Sequence, residues 1–318
     1  MLKSIGEKMV MVVVQVVVDM VRKGVFLMYE KFYDFINTPF SRTIPSKYLY
    51  KGNDSDELIE RLKYAAGKQL FAVVIGDSGT GKTTTLRRFF DETSEGGDNY
   101  YPLYISDSKL TPRTFYKNLL EQLGFESKYH HASARRPTAA GGFYEAKVLS
   151  NEAKRQLHKE IEIMKGLNGT RPVAVVDEAH LLSKEMLEEI RFLLNFKMDS
   201  QSPMALILSG QTELWDKLKR QSYAAIRQRI DIQCVLGRLD RAKTDEYILS
   251  QLEYAKTERE LFTEAAIDEI FKVSGGIPRL INKACTESLM YGAQNRKTII
   301  DDRMVKLVVE QELMGGFS

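Results

Sequence analysis

The stretch FAVVIGDSGTGKTTTLRRFF, Phe71 to Phe90, leaves few folds open. An apolar run suited to a buried strand, Leu70–Ile75, meets glycines at 76, 79 and 81, and a lysine then opens a helical pattern. GDSGTGKT (Gly76–Thr83) fits the pattern G-x-x-x-x-G-K-[ST] in the strand-to-helix setting that the pattern requires. Such glycines let backbone N–H groups turn inward around an anion, and the positive end of the helix adds to them. Lys82 is then a point charge for the β- and γ-phosphates, and Thr83 offers a hydroxyl to Mg2+. The expected ATP cradle is Gly76, Asp77, Ser78, Gly79, Thr80, Gly81, Lys82, Thr83 and Thr84. A dinucleotide fold is disfavoured, because no G-x-G-x-x-G occurs and the Lys-Thr pair has no task there.

Further apolar runs recur at Tyr101–Ile105, Pro172–Val176, Ala205–Leu208 and Ile230–Leu236, with amphipathic stretches between them. One such stretch, Thr111–Leu123, carries a threonine cap and Pro112 at the first helical position. Another follows Asp54 or Ser55 as cap, with Leu58, Ile59, Leu62, Ala65 and Ala66 on one face. Near-continuous apolar strands alternating with helices predict an α/β fold, a parallel sheet covered on both faces. After about Gly237 the strand signals stop. Asp240–Tyr254, Thr263–Val273, Pro278–Gln294 and Asp301–Leu313 read as a small all-helical domain. The expected division is 1–28 as an extension, 29–236 as the α/β domain and 237–318 as the helical one.

Three regions stand apart. MVMVVVQVVVDMV (Met9–Val21) is apolar but broken by Gln15 and Asp19, too short for a spanning helix, so no stable membrane insertion is expected. Residues 1–27 read either as a native extension or as an accidental one ahead of a start at Met28. Tyr29–Tyr50, aromatic with two prolines, reads as an extended surface segment. Residues 135–153, rich in small side chains and flanked by the similar ARR and AKR, read as an insertion forming a mobile loop. Cys234 and Cys285 sit in apolar surroundings and supply no metal or disulfide framework, which points to a reducing, cytoplasmic (bacterial) setting. With 46 basic and 43 acidic residues, the net +3 permits a nucleic-acid partner only through local clustering.

A nucleotide site needs an acid for the metal, and VAVVDEAH (Val173–His180) supplies one at a strand end. Asp177 is expected to hold Mg2+ through water, and Glu178 to orient and deprotonate the attacking water. DEAH also suggests a helicase, but 318 residues leave no room for a second motor domain. His180 reads as a local helix-start residue. ALILSGQTEL (Ala205–Leu214) ends a strand in polar groups, so Ser209 or Gln211 is placed near the γ-phosphate or the attacking water. Arg227 and Arg229 precede the last strand, where an arginine reaches a neighbouring subunit's ATP. The plainer alternative for both is a surface or salt-bridged arginine. GGIPRLIN (Gly275–Asn282) puts Arg279 in a first helical turn, expected to fold back on the same subunit's γ-phosphate.

Taken together these residues resemble the AAA+ ATPases over about Tyr29–Leu313. The phosphate loop, the VVDEAH strand, the SGQTEL strand end, the QRI arginine and the GGIPRLIN helix fall in that family's order. The resemblance implies an ASCE-type P-loop NTPase, with a five-stranded parallel sheet flanked by helices and followed by a helical lid. NTPF (Asn37–Phe40), GQTELW (Gly210–Trp215) and QRI are similar to the subgroup holding the transposition regulators TnsC, MuB and IstB and the ExeA-type secretion ATPases. The block from EIEIMKG to GQTELW resembles ATPases encoded beside DDE-type transposases. That likeness implies an ATP-dependent homo-oligomer, ring or helical filament, on double-stranded DNA, which recruits a DDE transposase and is released by hydrolysis.

In such regulators channel-lining loops grip DNA, and SDSKLTPRTFYK (Ser106–Lys117) offers Lys109, Thr111, Arg113 and Lys117 for phosphates. A solvated basic helix start is the plainer alternative. Arg135 and Arg136 are further candidates, whereas KLKR (Lys217–Arg220) reads as a solvated helix face. Two other functions compete. One is a secretion or envelope-assembly ATPase acting on protein partners, disfavoured because the sequence stops after the helical domain. The other is a non-hydrolysing scaffold on DNA.

Overall fold

The computed structural model describes residues 29–97, 99–106, 109–125, 142–194, 202–257 and 259–310. Among the described residues five strands are present: β1 (Phe71–Ile75), β2 (Tyr100–Ile105), β3 (Arg171–Val176), β4 (Ala205–Gly210) and β5 (Ile232–Val235). They form one parallel sheet in the order β2-β3-β4-β1-β5. Parallel neighbours need crossovers, and helices supply them. α1 (Asn53–Lys68) precedes β1, and α2 (Lys82–Glu95) leads to β2. α3 (Pro112–Gln122) and α4 (Gly142–Asn168) separate β2 from β3. α5 (Lys184–Leu194) precedes β4, and α6 (Thr212–Lys219) with a single turn at Ala224–Arg227 precedes β5.

Successive strand side chains point to opposite faces, so one sheet feeds two cores. Phe71, Val73, Ile75, Leu103, Ala174, Leu206 and Leu208 face a core shared with α3 to α6, closed by Phe115, Leu157, Ile190 and Leu214. Ala72, Val74, Val173, Val175 and Ile207 face the other way, onto Leu58, Leu62 and Ala66 of α1 and Leu86 and Phe89 of α2. The expected apolar face of α1 is thus buried. Its cap is Gly52, and the Ser55 hydroxyl donates to the Gly52 carbonyl. Thr111 caps α3 by accepting from the Thr114 amide, with Pro112 in the first turn.

The helical unit contains α7 (Arg241–Tyr254), α8 (Glu264–Ser274), α9 (Pro278–Gln294) and α10 (Asp302–Val308). Asp240, Thr263 and Asp301 each cap a helix with a side-chain oxygen. Its core joins Ile248, Ile270, Ile281, Leu289, Ile300 and Val305 to Cys285. Cys234 and Cys285 are both buried and free, as the composition suggested.

Two expectations are corrected here. Tyr29–Tyr50, expected in the α/β domain as an extended surface segment, instead belongs to the compact unit formed by 238 onward, while 51–237 form the other. Residues 29–32 are helical, and Tyr29, Tyr33 and Phe40 are core side chains of the helical unit. The aromatic residues that suggested a surface strap are there to be buried. The Tyr33 hydroxyl donates to the Lys297 carbonyl at 2.9 Å, and the Asn37 amide to the Tyr254 carbonyl at 2.8 Å. The second correction concerns the loop expected over 135–153. Gly142 to Ala153 belong to α4, and Ala153 is buried in a core. Residues 135–141, with Arg135 and Arg136, lie outside the described residues, as do 1–28.

Removing the Tyr33 ring should therefore loosen the helical unit. Tyr33→Ala is expected to cost about 3–5 kcal/mol, as large aromatic deletions in cores do. Hydrogen exchange checks it: amides of α8 and α9 should exchange faster, while those of β1 and β4 keep their protection.

Candidate functional site

The loop after β1 is shaped by its glycines. A Cβ on Gly76 would lie 2.5 Å from the Leu236 carbonyl oxygen and 2.9 Å from Thr80 Oγ1, so no side chain fits there. Gly79 and Gly81 take φ of 86° and 99°, in the region glycine enters without strain. Gly81 caps α2 and makes no side-chain cap bond, and no acid sits in the first turn. Helix-start N–H groups thus face outward with their positive dipole end, an arrangement suited to phosphate. Lys82 is buried, and its Nζ donates to the carbonyls of Gly76 and Asp77 at 2.8 and 2.9 Å. The cation lies folded across the loop it would share with a nucleotide.

Asp177 follows β3, and the register brings it beside β2 and β4. It is 3% exposed. Oδ2 accepts from Thr83 Oγ1 at 2.6 Å and from the Tyr104 hydroxyl at 2.9 Å. Oδ1 accepts from Ser209 Oγ at 2.8 Å and from the Glu178 amide at 2.9 Å. Burial alone would raise this carboxyl's pKa. The donors Thr83, Ser209, Glu178 N–H and Tyr104 outweigh it and hold the group below the usual carboxylate value. Thr83 and Asp177, two hard oxygen donors side by side, fit a Mg2+ ion that completes its shell with phosphates and water.

Glu178 holds a left-handed backbone, φ 49°, a conformation uncommon for a side-chain-bearing residue. Its carboxylate is half-exposed, and Oε2 lies 3.3 Å from His180 Nδ1. His180 does open a helical turn, Ala179–Leu181, but its ring also faces the acid. Lys217 departs from the solvated role expected for KLKR: its Nζ donates to the carbonyls of His180 and Leu182 at 2.6 and 3.0 Å. Burial, then the Arg220 charge, lowers its pKa. The lysine pins the turn after the acid pair onto α6. Gly210 has the same effect, since a Cβ there would meet the His180 amide nitrogen at 3.1 Å.

The remaining candidates fall in different places. Ser209 is fully buried and serves Asp177, while Gln211 caps α6 through its backbone. Arg227 donates to the Leu218 and Lys219 carbonyls at the end of α6, so its guanidinium is engaged within its own chain. Arg229 lies half-exposed just before β5. Arg279 is exposed in the first turn of α9, in the helical unit. Around α3, Thr111 is used as the cap and Lys117 lies 3.5 Å from Glu121, while Lys109 and Arg113 precede or open the helix. Sequence reasoning missed Tyr104. Its only signal was its place near the end of β2, one strand from Asp177.

Residues 65–218 match the family described as AAA domain. The chain is 28% identical over 264 residues to general secretion pathway protein A of Aeromonas hydrophila, which covers 83% of this chain and 44% of that protein. It is 26% identical over 257 residues to an uncharacterized HTH-type transcriptional regulator of Methanocaldococcus jannaschii, covering 74% of this chain and 61% of that one. The chain thus spans less than two thirds of either relative. In fold it is similar to a chain of Drosophila ORC bound to DNA, at TM-score 0.63 and 15% identity, covering 91% of this chain and 66% of that chain. It is likewise similar to Cdc6p from Pyrobaculum aerophilum, at TM-score 0.60 and 16% identity, covering 86% and 70%. The five-stranded parallel sheet flanked by helices is thus a fold shared with those structures, and the match to the AAA-domain family covers 65–218.

A folded-state pKa below the ordinary one gives Asp177 a stabilising contribution that is present above the unfolded value and lost as pH falls through the folded one. Asp177→Asn should therefore be least stable relative to wild type near neutrality. Melting followed by circular dichroism should show that gap narrowing below about pH 4.

Proposed function

We propose that this chain is an ATP-hydrolysing AAA+ switch that assembles on duplex DNA, recruits a DDE-type transposase and is released on hydrolysis. The observation that carries the nucleotide half is the 2.6 Å bond joining Thr83 of the phosphate loop to the buried Asp177 carboxylate. Thr83 and Asp177 would be the residues to hold a Mg2+ brought with ATP, and their contact supports that reading. Held by Thr83 and Asp177, a Mg2+ ion would supply charge neutralisation to the transferring phosphate.

Each residue then has a task. The amides from Gly76 to Thr84 hold the phosphates. Lys82 exchanges its bonds to the Gly76 and Asp77 carbonyls for phosphate oxygens. Glu178 orients a water and takes its proton as the water oxygen bonds to the γ-phosphorus. The bond from that phosphorus to ADP breaks, and the proton passes to solvent. Gln211 and Arg229 are assigned to the water and to a neighbouring subunit's phosphate. Arg227 is the weaker candidate for that second role, because α6 already holds it.

The DNA half is supported by the likeness of the EIEIMKG-to-GQTELW block to ATPases encoded beside transposases, and by Lys109, Arg113 and Lys117 around the start of α3. Contacts of that kind are to phosphates, so binding is sequence-tolerant and falls with salt. A cytoplasmic protein is the matching location. A second reading, a secretion ATPase acting on proteins, is favoured by the 28% identity to general secretion pathway protein A.

Filter binding with random duplex DNA separates the two readings. Retention that needs ATP and weakens with salt is expected, and retention indifferent to nucleotide would reject the DNA switch. Glu178→Gln should lower hydrolysis by about 100-fold or more, as loss of a general base does. Light scattering should then show DNA-bound oligomers that persist after wild type has dissociated. Arg229→Ala should cut turnover by about 1000-fold while leaving ATP binding intact, as loss of a trans arginine does. Single-turnover and equilibrium-binding measurements check that split.

A further inference from the structure

Tyr104 belongs to none of the nucleotide motifs, yet its hydroxyl reaches the carboxylate at their centre. It lies in β2, the edge strand of the sheet, whose inner neighbour is β3. An edge strand has no partner on its outer side, so its backbone groups there need other partners or water. At Tyr104 a side chain supplies them. Gln122 Oε1 accepts from the Tyr104 amide at 2.8 Å, and Gln122 Nε2 donates to the Tyr104 carbonyl at 3.0 Å. The primary amide thus imitates one residue of a further strand. The Gln122 carbonyl in turn accepts from the Tyr101 hydroxyl at 2.8 Å. Gln122 ends α3, so the helix and the strand edge are fastened at one point.

Asp177 Oδ2 takes just Thr83 and Tyr104 among its described donors. Thr83 has a second task if a divalent ion arrives, because its oxygen turns to the metal. Tyr104 has none, and its ring is carried by a strand whose backbone is clamped. Its hydroxyl donates to the carboxylate oxygen at 2.9 Å.

We infer that Tyr104 is a positioning residue for the metal-binding carboxylate, and that the Gln122 amide holds it in place from the open edge of the sheet. The inference rests on the Mg-ATP reading of the site above. Tyr104 touches no reacting atom in this scheme. It fixes the direction in which Asp177 Oδ2 presents its lone pairs, as partners behind metal ligands do elsewhere.

The test is a Mg2+ titration of ATPase activity, paired with binding of a fluorescent ATP analogue in Mg2+ and in EDTA, on the full chain. For Tyr104→Phe, half-saturating Mg2+ should rise about 10-fold, in the range seen when such partners are lost. Binding in EDTA should match wild type, which also shows that the variant folds. Gln122→Ala should shift the Mg2+ midpoint in the same direction by less, and Gln122→Glu should not restore it, since a carboxylate cannot donate to the Tyr104 carbonyl. An unchanged Mg2+ midpoint in Tyr104→Phe would overturn the inference. An equal loss of binding with and without Mg2+ would also overturn it, by making the tyrosine a general support of the fold. If wild type itself binds ATP no better with Mg2+ than in EDTA, the Mg-ATP reading fails instead, and the two failures are told apart.

Discussion

Asp177 is 3% exposed, and an ionised carboxylate so far from water is tolerable only with several donors pointed at it. Four are present, and they come from different parts of the α/β unit. Thr83 lies in α2, Tyr104 in β2 and Ser209 in β4, while the Glu178 amide follows Asp177 itself. The carboxylate therefore ties the phosphate loop to three neighbouring strands. Removing it would leave the fully buried Ser209 hydroxyl without this acceptor, which costs more than the bond itself contributes. The parallel sheet is what makes the meeting possible. Because β2, β3 and β4 run the same way in register, Ile105, Val176 and Leu208 align, and the polar residues at the strand ends gather on one side.

The architecture could be read from the chain because its determinants are local. Near-continuous apolar strands, helix caps such as Thr111, Asp240, Thr263 and Asp301, and Pro112 and Pro278 at helix starts are signals confined to a few residues. The features that depart from expectation depend on distant partners. The aromatics of Tyr29–Tyr50 carry no mark of which core receives them, and only the fold shows Tyr29 and Tyr33 against Ile281, Leu289 and Ile300. The small residues of 135–153 suggest a loop, yet from Gly142 they form part of a long helix whose Ala153, Leu157 and Ile161 are buried. Tertiary burial overrides weak local propensity in both cases.

The site divides in the same way. Lys82, Thr83, Asp177 and Glu178 announce themselves because phosphate and metal chemistry demand those residue types at those spacings. Tyr104, Gln122 and Lys217 do not, since a tyrosine in a strand, a glutamine ending a helix and a lysine on a helix face are common everywhere. Their importance arises from where the fold brings them. Lys217 holds the carbonyls of the turn that follows the acid pair, and Gln122 holds the strand that carries Tyr104. These residues surround the acid pair on two sides, one from α6 and one from the sheet edge. Glu178 sits between them on a left-handed backbone, a conformation retained where the surroundings impose it.

The central claim is that this loop and this carboxylate together grip one triphosphate with its metal. Calorimetric titration of ATP into the folded chain in the presence of Mg2+ tests it most directly. A single saturable site per chain, abolished by Lys82→Ala with the fold intact, is the expected result. Absence of binding heat, or undiminished affinity in the lysine variant, would contradict the account.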